Sequence, residues 1–418
     1  MRGWAVWSLY VLGGLVKETK ALPQASNKRD LVVRQSSSTT FPDSDYPFTI
    51  RATLVSSGGS WVKFFFATGL EGNSSLYMGT WEKANPNVYT YEKILTDNIN
   101  YDTPSLTAIM WDNNNPTHAE LAWDHANKQA RVYFMARQSE SEVWELAYSG
   151  GVWQTSAIGD LGQFSIDPNQ GMSVIAWHTT GRTNLRLYAT PTDETGVHEF
   201  AYGPFGTGGA YQWVAGGQIG GNYTFGTPVA FLNTAPYTSS TPNIRGWHGV
   251  DNTNFQNSRW ASGSSGWQYS DTGIASTEIG PSGFFAPYVT GVDSLSPAIT
   301  LHWCDETSNL IYKAPVSLSG VIGTSSTVAW QSAMGFTPYT SAPGVDELGS
   351  IGWRKTGISA GAASNGDATD DVHLFAAGYT DGGNYTLLHI NPLLTARTAK
   401  EVAGVHIVGY LHWLEIAF

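Results

Sequence analysis

Apolar positions along the chain fall into short runs of five to eight residues that alternate with polar ones, separated by Gly/Asn/Asp-rich loops. Period-two alternation over such lengths predicts half-buried β-strands rather than helices. After about forty residues the pattern repeats. A strand resembling [IVL]-R-x-[YW] leads to a polar loop, then a strand with Glu before an aromatic, then a Trp. Ala130 to Phe134, Val143 to Tyr148 and Trp153 form the clearest copy. Leu185 to Tyr188, Val197 to Tyr202 and Trp213 form the second. Ile244 to Trp247, Asn257 to Trp260 and Trp267 give a third, and Ile299 to Trp303, Leu310 to Tyr312 and Trp330 a fainter fourth. Arg131, Arg186, Arg245 and Thr300 stand 55, 59 and 55 positions apart.

Weaker copies flank these, around Trp61 to Phe66 and Asp371 to Ala376, which makes six units. A repeat this long, with about four short strands, is the signature of a propeller blade. One such sheet cannot bury both faces, and a ring of them can. The expected fold is therefore all-β: a six-bladed β-propeller over residues 48–392, about four antiparallel strands per blade. Gly-His…Trp-Asp, kelch and sialidase signatures are missing from the repeats. The tail, residues 393–418, falls outside the pattern and reads as a ring-closing strand or a short docked helix.

Composition agrees with this pattern and narrows the function. The 418 residues include 46 Gly, 17 Trp, 20 Tyr and 17 Phe but are only 13% charged. A net charge of −12 with no Lys/Arg cluster speaks against a nucleic-acid partner. The single cysteine, Cys304, excludes an intrachain disulfide and a Cys-based zinc site. At the start, Arg2 precedes an apolar stretch from Trp4 to Val16, with small residues at Ala21 to Ser26 and a dibasic Lys28-Arg29. Residues 1–26 therefore read as a signal peptide, with the mature chain starting after residue 21 and residues 27–47 as a Ser/Thr-rich spacer. An uncleaved membrane anchor is the alternative, and the one route to membrane contact. Sequons at Asn73, Asn222 and Asn384 suit a secreted glycoprotein. A homo-oligomer is compatible with the sequence.

Strand parity gives the repeat its chemistry. Val143, Glu145 and Ala147 share one face, as do Val197, Glu199 and Ala201. Arg131 precedes Glu145 by 14 positions, and Arg186 precedes Glu199 by 13. Each of these blades thus offers a guanidinium, a carboxylate and a following indole, Trp153 or Trp213. That set holds a sugar: hydroxyls by charge-assisted bonds, C–H groups on an aromatic face. A cross-strand ion pair is the structural alternative at any one blade. Its return with the same parity and a following Trp favours binding.

The pattern resembles the fungal fucose-specific lectins of the Aleuria aurantia type. That resemblance implies a six-bladed propeller that binds fucosylated glycans between blades, without catalysis or cofactor. Arg131, Glu145 and Trp153 match the family's pocket motif, and so do Arg186, Glu199 and Trp213. The third unit keeps Arg245 and Trp267 but places Ser258 or Arg259 where Glu belongs. The fourth has Thr300, and the outer units have Lys63 and His373. Two intact pockets, one crippled pocket and a degenerate remainder follow.

Other constellations are weaker. Asp112 to Asn115 reads as a turn, and His302, Cys304, Asp305 and Glu306 divide between strand faces. A propeller glycoside hydrolase would need two facing carboxylates, for which Asp124, Asp305, Asp370 and Asp371 are available. A propeller interaction protein with decayed sugar sites is the third reading.

Overall fold

A computed structural model describes the strands and shorter turns between residues 48 and 316. It also describes residues 37–38, 354–362, 372–379 and 385–390, with short pieces at 337–338, 401–402 and 405–406. All belong to one compact unit, Val32–Phe418. The leader (residues 1–26), Trp330, Asp124, Asp305, Glu306, Asp370, Asp371, Asn222 and Asn384 lie outside the described residues. Among the described residues, no helix is long and apolar enough to cross a membrane.

The chain is an all-β propeller of antiparallel sheets, each laid down in chain order. The first sheet consists of Phe48–Val55, Trp61–Leu70, Asn73–Glu82 and Tyr89–Leu95, with Ser37–Ser38 added at the outer edge. The second is Leu106–Asp112, Lys128–Met135, Val143–Ser149 and Val152–Ser156. The third is Ser173–Thr179, Arg182–Ala189, Val197–Gly203 and Gln212–Ile219. Ala230–Asn233, Asn243–Val250, Asn254–Ala261 and Gln268–Ala275 make the fourth. The fifth comprises Phe285–Thr290, Ala298–Cys304, Ile311–Val316 and Thr337–Pro338. Arg354–Ala362, Val372–Tyr379 and Tyr385–Ile390 form a three-stranded sixth sheet. Four of these sheets thus have the expected four strands. In the tail, Glu401–Val402 pairs with Val405–His406 as a two-stranded ribbon beside Tyr385–Ile390.

The first strand of each sheet neighbours the first strand of the next, and Arg354–Ala362 returns to Phe48–Val55. Polar side chains tie these inner strands together. Thr107 Oγ1 accepts from Val174 N–H at 3.2 Å, and Ser173 Oγ accepts from Phe231 N–H at 2.9 Å. All six inner strands line one cavity of about 230 Å³, with Arg51, Thr53 and Ser359 among its polar walls.

The core lies between sheets, because each sheet must cover an apolar face with its neighbour. Phe65 and Leu76 of the first sheet pack with Val132, Leu146 and Trp153 of the second. Tyr133 and Val143 of the second meet Leu187, Phe200 and Trp213 of the third. At the other end, Phe64 of the first sheet stacks on Phe375 of the sixth, ring centroids 4.4 Å apart.

Candidate carbohydrate site

Register brings the repeated Arg and Glu together. Tyr133 pairs with Glu145 and Arg131 with Ala147 across one hairpin; Tyr188 pairs with Glu199 and Arg186 with Ala201 across the next. The small Ala opposite each Arg leaves room for the guanidinium to cross the strand and reach the diagonal carboxylate. Arg131 Nε lies 3.2 Å from Glu145 Oε1, and Arg186 Nε donates to Glu199 Oε1 at 3.0 Å. In both blades Nη1 donates to the carbonyl of the preceding residue at 2.9 Å.

Each guanidinium also covers an indole from the first strand of its own sheet. Arg131 lies 5.1 Å from the Trp111 ring centroid and Arg186 lies 4.6 Å from that of Trp177. Such stacking fixes the plane of the fork and so aims its donors. Behind the acid sits a buried tyrosine. Tyr188 donates its hydroxyl to Glu199 Oε2 at 3.0 Å. Burial, and then the Glu199 charge, hold the Tyr188 pKa well above the ordinary tyrosine value, so it remains a donor at neutral pH. Burial followed by the Glu145 charge does the same to Tyr133. The side chains are 20% and 6% exposed in the Arg131–Glu145 pair and 17% and 24% exposed in the Arg186–Glu199 pair, so each guanidinium reaches the mouth of a cleft while Glu145 lies deeper than Glu199.

The aromatic partners sit one blade further on than the sequence suggests. Trp153 does not share a pocket with Arg131 and Glu145. It is fully buried, 5.1 Å from Tyr148 and 6.0 Å from Phe65 of the first sheet. Its strand partner is Tyr148, three positions from Glu145, and an odd offset places the pair on the opposite face. The indole facing Arg131 and Glu145 is Trp213 of the third sheet, edge-on to Tyr133 at 5.8 Å and beside Tyr202. Likewise Arg186 and Glu199 face the fourth sheet. There Trp267 sits 6.2 Å from Tyr188, with Trp260 in the same cluster. The two clefts are therefore Arg131, Glu145, Trp213 and Arg186, Glu199, Trp267.

The remaining junctions keep the positions and change the chemistry. Trp247 pairs with Asn257, so Asn257 takes the Glu position in the fourth sheet. Ser258 is buried on the other face and donates to Gly246 O at 3.4 Å, whereas Arg259 stands opposite Arg245. In the fifth sheet His302, fully buried and stacked on Tyr288, aligns with Lys313. In the first, Lys63 donates to Thr80 Oγ1 at 2.6 Å and Met78 occupies the Glu position. In the sixth, His373 and His389 fill the Arg and Glu positions, 2.9 Å apart. Sequence reading missed Trp111, Trp177, Tyr133, Tyr188, Tyr202 and Trp260 as site residues. Each recurs at an equivalent register position in both blades, and that recurrence is the signal that could have found them.

No protein-family model and no curated protein sequence matches the chain. Solved structures do. AofleA from Arthrobotrys oligospora aligns over 83% of this chain and 83% of its own, at TM-score 0.55 and 17% identity. The fucose-specific lectin from Aleuria aurantia aligns over 82% of this chain and 91% of its own, at TM-score 0.56 and 16% identity. A mutant of that lectin in complex with α-methyl-L-fucoside gives the same coverage at TM-score 0.54 and 19% identity. The chain has the fold of the Aleuria aurantia lectin. At these identities the likeness extends to the fold, and the clefts have to be argued from their own residues.

Proposed function

We propose that this protein is a secreted carbohydrate-binding lectin, a six-bladed propeller whose sixth blade is the three-stranded sheet packed on the first. Its ligands are fucosylated glycans, held in the clefts between the second and third and between the third and fourth sheets. One observation carries the reading. The same Arg, Glu and Tyr recur on one sheet with a Trp from the next, in two successive clefts. An ion pair that served stability alone would need neither the indole of the following blade nor an indole beneath the guanidinium.

In each cleft, Arg Nη groups donate to a sugar hydroxyl and the Glu carboxylate accepts from one, both being charge-assisted bonds. The Trp213 or Trp267 ring receives the apolar C–H face of the sugar, and a methyl group on that face adds buried area. Because Arg and Glu already hold each other, little side-chain freedom is lost on binding. The solved neighbours named for fucose and α-methyl-L-fucoside support that choice of sugar. Catalysis is not part of the proposal. Each cleft presents one described carboxylate bonded to an arginine, where glycoside hydrolysis needs a facing pair. The leader at residues 1–26 and the sequon at Asn73 support the secretory route.

Titration calorimetry with α-methyl-L-fucoside tests the reading. Arg131→Ala and Arg186→Ala should each abolish or weaken one class of sites about 10- to 100-fold, the equivalent of about 1.5–3 kcal/mol. Folding stability should fall by about 1 kcal/mol or less in Arg186→Ala, whose partner Glu199 is 24% exposed, and by more in Arg131→Ala, which leaves the buried Glu145 without its arginine. Unchanged sugar binding alongside a small stability loss would assign the pairs to structure.

A further inference from the structure

The turn that closes the outer hairpin differs from sheet to sheet. Between Tyr148 and Trp153 of the second sheet it holds four residues, 149–152, and before Trp267 of the fourth it holds six, 261–266. Neither segment contains an aromatic residue. In the third sheet the turn between Tyr202 and Trp213 runs to ten residues, 203–212, and carries Phe205 and Tyr211. Phe205 is 47% exposed. A lone exposed aromatic is ordinary at a protein surface, so exposure by itself assigns it nothing. Its placement does.

Glu199, Ala201 and Gly203 alternate along one strand and share the face turned to the fourth sheet. The Phe205 ring covers that face at Gly203: a Cβ built there would come within 2.9 Å of its Cε2. Glycine at 203 is what lets the ring lie against the strand. Ala201, two residues and about 7 Å back along the strand, is the partner of Arg186. The ring thus continues the wall of the Arg186–Glu199 cleft toward the strand end. Gln212 pairs with Gly203 and is exposed, and its Oε1 lies 3.1 Å from where a Cβ on Gly206 would stand. The turn holds both groups in place. Phe205 N–H donates to Gly203 O at 2.8 Å, and Gly206 N–H donates to Ala210 O at 2.8 Å. Gly208 and Gly209 take φ of 70° and 80°, which suits glycine and brings the chain back. At the corresponding end of the Arg131 cleft stand Ser149 and its partner Val152.

We infer that Phe205 and Gln212 form a second subsite beside the Arg186 cleft, which takes the sugar residue that carries the fucose. The ring receives the apolar C–H face of that residue, and the Gln212 amide bonds one of its hydroxyls. An aromatic held by its own turn offers contact area with little loss of side-chain freedom on binding. The inference rests on the reading of the Arg186 cleft as a fucose site and extends it outward. It also makes the two clefts unequal. The Arg131 cleft reads the terminal fucose, and the Arg186 cleft reads the fucose together with its neighbour.

Calorimetry on the full chain tests this with α-methyl-L-fucoside, 2′-fucosyllactose and fucosyl-α1,6-N-acetylglucosamine. The Arg131→Ala background lets the Arg186 cleft be read alone. There, at least one of the two oligosaccharides should bind about three- to tenfold more tightly than the methyl fucoside, the scale of one aromatic contact. Phe205→Ala should remove that margin and leave the methyl fucoside affinity unchanged, whereas Phe205→Tyr should keep it. In the Arg186→Ala background, where the Arg131 cleft is read, Phe205→Ala should change neither affinity. Equal affinity for the methyl fucoside and both oligosaccharides would overturn the inference, as would a margin that survives Phe205→Ala. A methyl fucoside loss as large as the oligosaccharide loss would place Phe205 in the fucose pocket itself and overturn a separate subsite. If none of the three ligands binds in the Arg131→Ala background, the fucose reading of the cleft fails and the subsite fails with it.

Discussion

The cleft between the third and fourth sheets and the junction between the sixth and first occupy equivalent register positions and solve opposite problems. In the first, Arg186 and Glu199 form an ion pair at 17% and 24% exposure, with Trp177 below and Trp267 beside them. In the second, His373 and His389 replace the pair, at 0% and 1% exposure. Tyr89 of the first sheet hydrogen-bonds His389 Nδ1 at 2.7 Å, and Trp81 lies 4.7 Å from His373. Phe375 stacks on His389 at 4.1 Å, completing an aromatic seal. One backbone pattern therefore yields an open, charged cleft in one place and a closed, neutral seam in another. The difference lies in whether the polar pair keeps contact with water. An ion pair kept partly wet stays within reach of solvent, whereas a neutral imidazole pair can be buried and spent on packing.

The contrast is sharpest under acid. Burial lowers the His373 pKa to about 3, with the Lys83 charge a second cause. Burial, then His373, holds His389 well below its ordinary value. In the fourth sheet, burial also lowers His248 to about 4, partly offset by a hydrogen bond to the Gly249 carbonyl. In the unfolded chain these groups titrate near pH 6.5. The unfolded state therefore binds more protons than the folded one from about pH 6.5 down to the folded values. Stability is full above that window and is lost as pH falls through it. A buried histidine that stays neutral contributes a slope of about 1.4 kcal/mol per pH unit across the window, and His373 and His389 act in the same direction. Urea midpoints measured over that range should fall steeply in the wild type. The slope should flatten in a His373→Leu/His389→Met variant. An equally steep slope in that variant would show that the seam is not the acid-sensitive element.

A second contrast separates two tryptophans that the sequence treats alike. Trp153 and Trp213 both close a repeat unit, yet Trp153 is fully buried beside a junction that carries Met78 at the Glu position, and Trp213 faces Arg131 and Glu145. Trp153→Ala should cost about 3–5 kcal/mol of stability through the cavity it leaves. Fucoside affinity at the Arg131 cleft should be unchanged in the fraction that stays folded. Trp213→Ala should instead weaken that cleft about tenfold or more, with a smaller loss of stability. Melting curves and calorimetry on both variants decide, and a swap of the two phenotypes would reverse the assignment of the indole.

These cases show what could be read along the chain and what could not. Strand alternation, the repeat, and the pairing of Arg131 with Glu145 and of Arg186 with Glu199 are local: hairpin register and parity determine them. The sheet that supplies the indole is not local, because packing between successive sheets decides it. The parity rule that placed Glu145 also places Tyr148 and its partner Trp153 on the far face, so applying it one strand further would have corrected the pocket. The third unit misled for a different reason. Its hairpin is shorter, so the carboxylate position falls 12 residues after Arg245 rather than 13 or 14. Counting by the earlier spacing lands on Ser258 or Arg259, one or two residues past Asn257.

The smallest expected effect isolates the tyrosine behind the acid. Tyr188→Phe removes one hydroxyl from a fully buried ring and leaves its stacking on Phe231, centroids 3.8 Å apart, intact. A hydrogen bond to a carboxylate contributes about 1.5–3 kcal/mol when nothing replaces it. Glu199 is 24% exposed, so water can take the place of the lost donor, and the stability loss should be nearer 1 kcal/mol. Glu199 Oε1 stays bonded to Arg186, but the carboxylate loses its second anchor and becomes free to rotate. Fucoside affinity at this cleft should then drop about three- to fivefold, less than in Arg186→Ala, since only the aim of the acceptor is impaired and no ligand contact is removed. Calorimetry on Tyr188→Phe in the Arg131→Ala background, where this cleft is read alone, measures the drop. A loss as large as that of Arg186→Ala would mean that the tyrosine hydroxyl itself contacts the sugar.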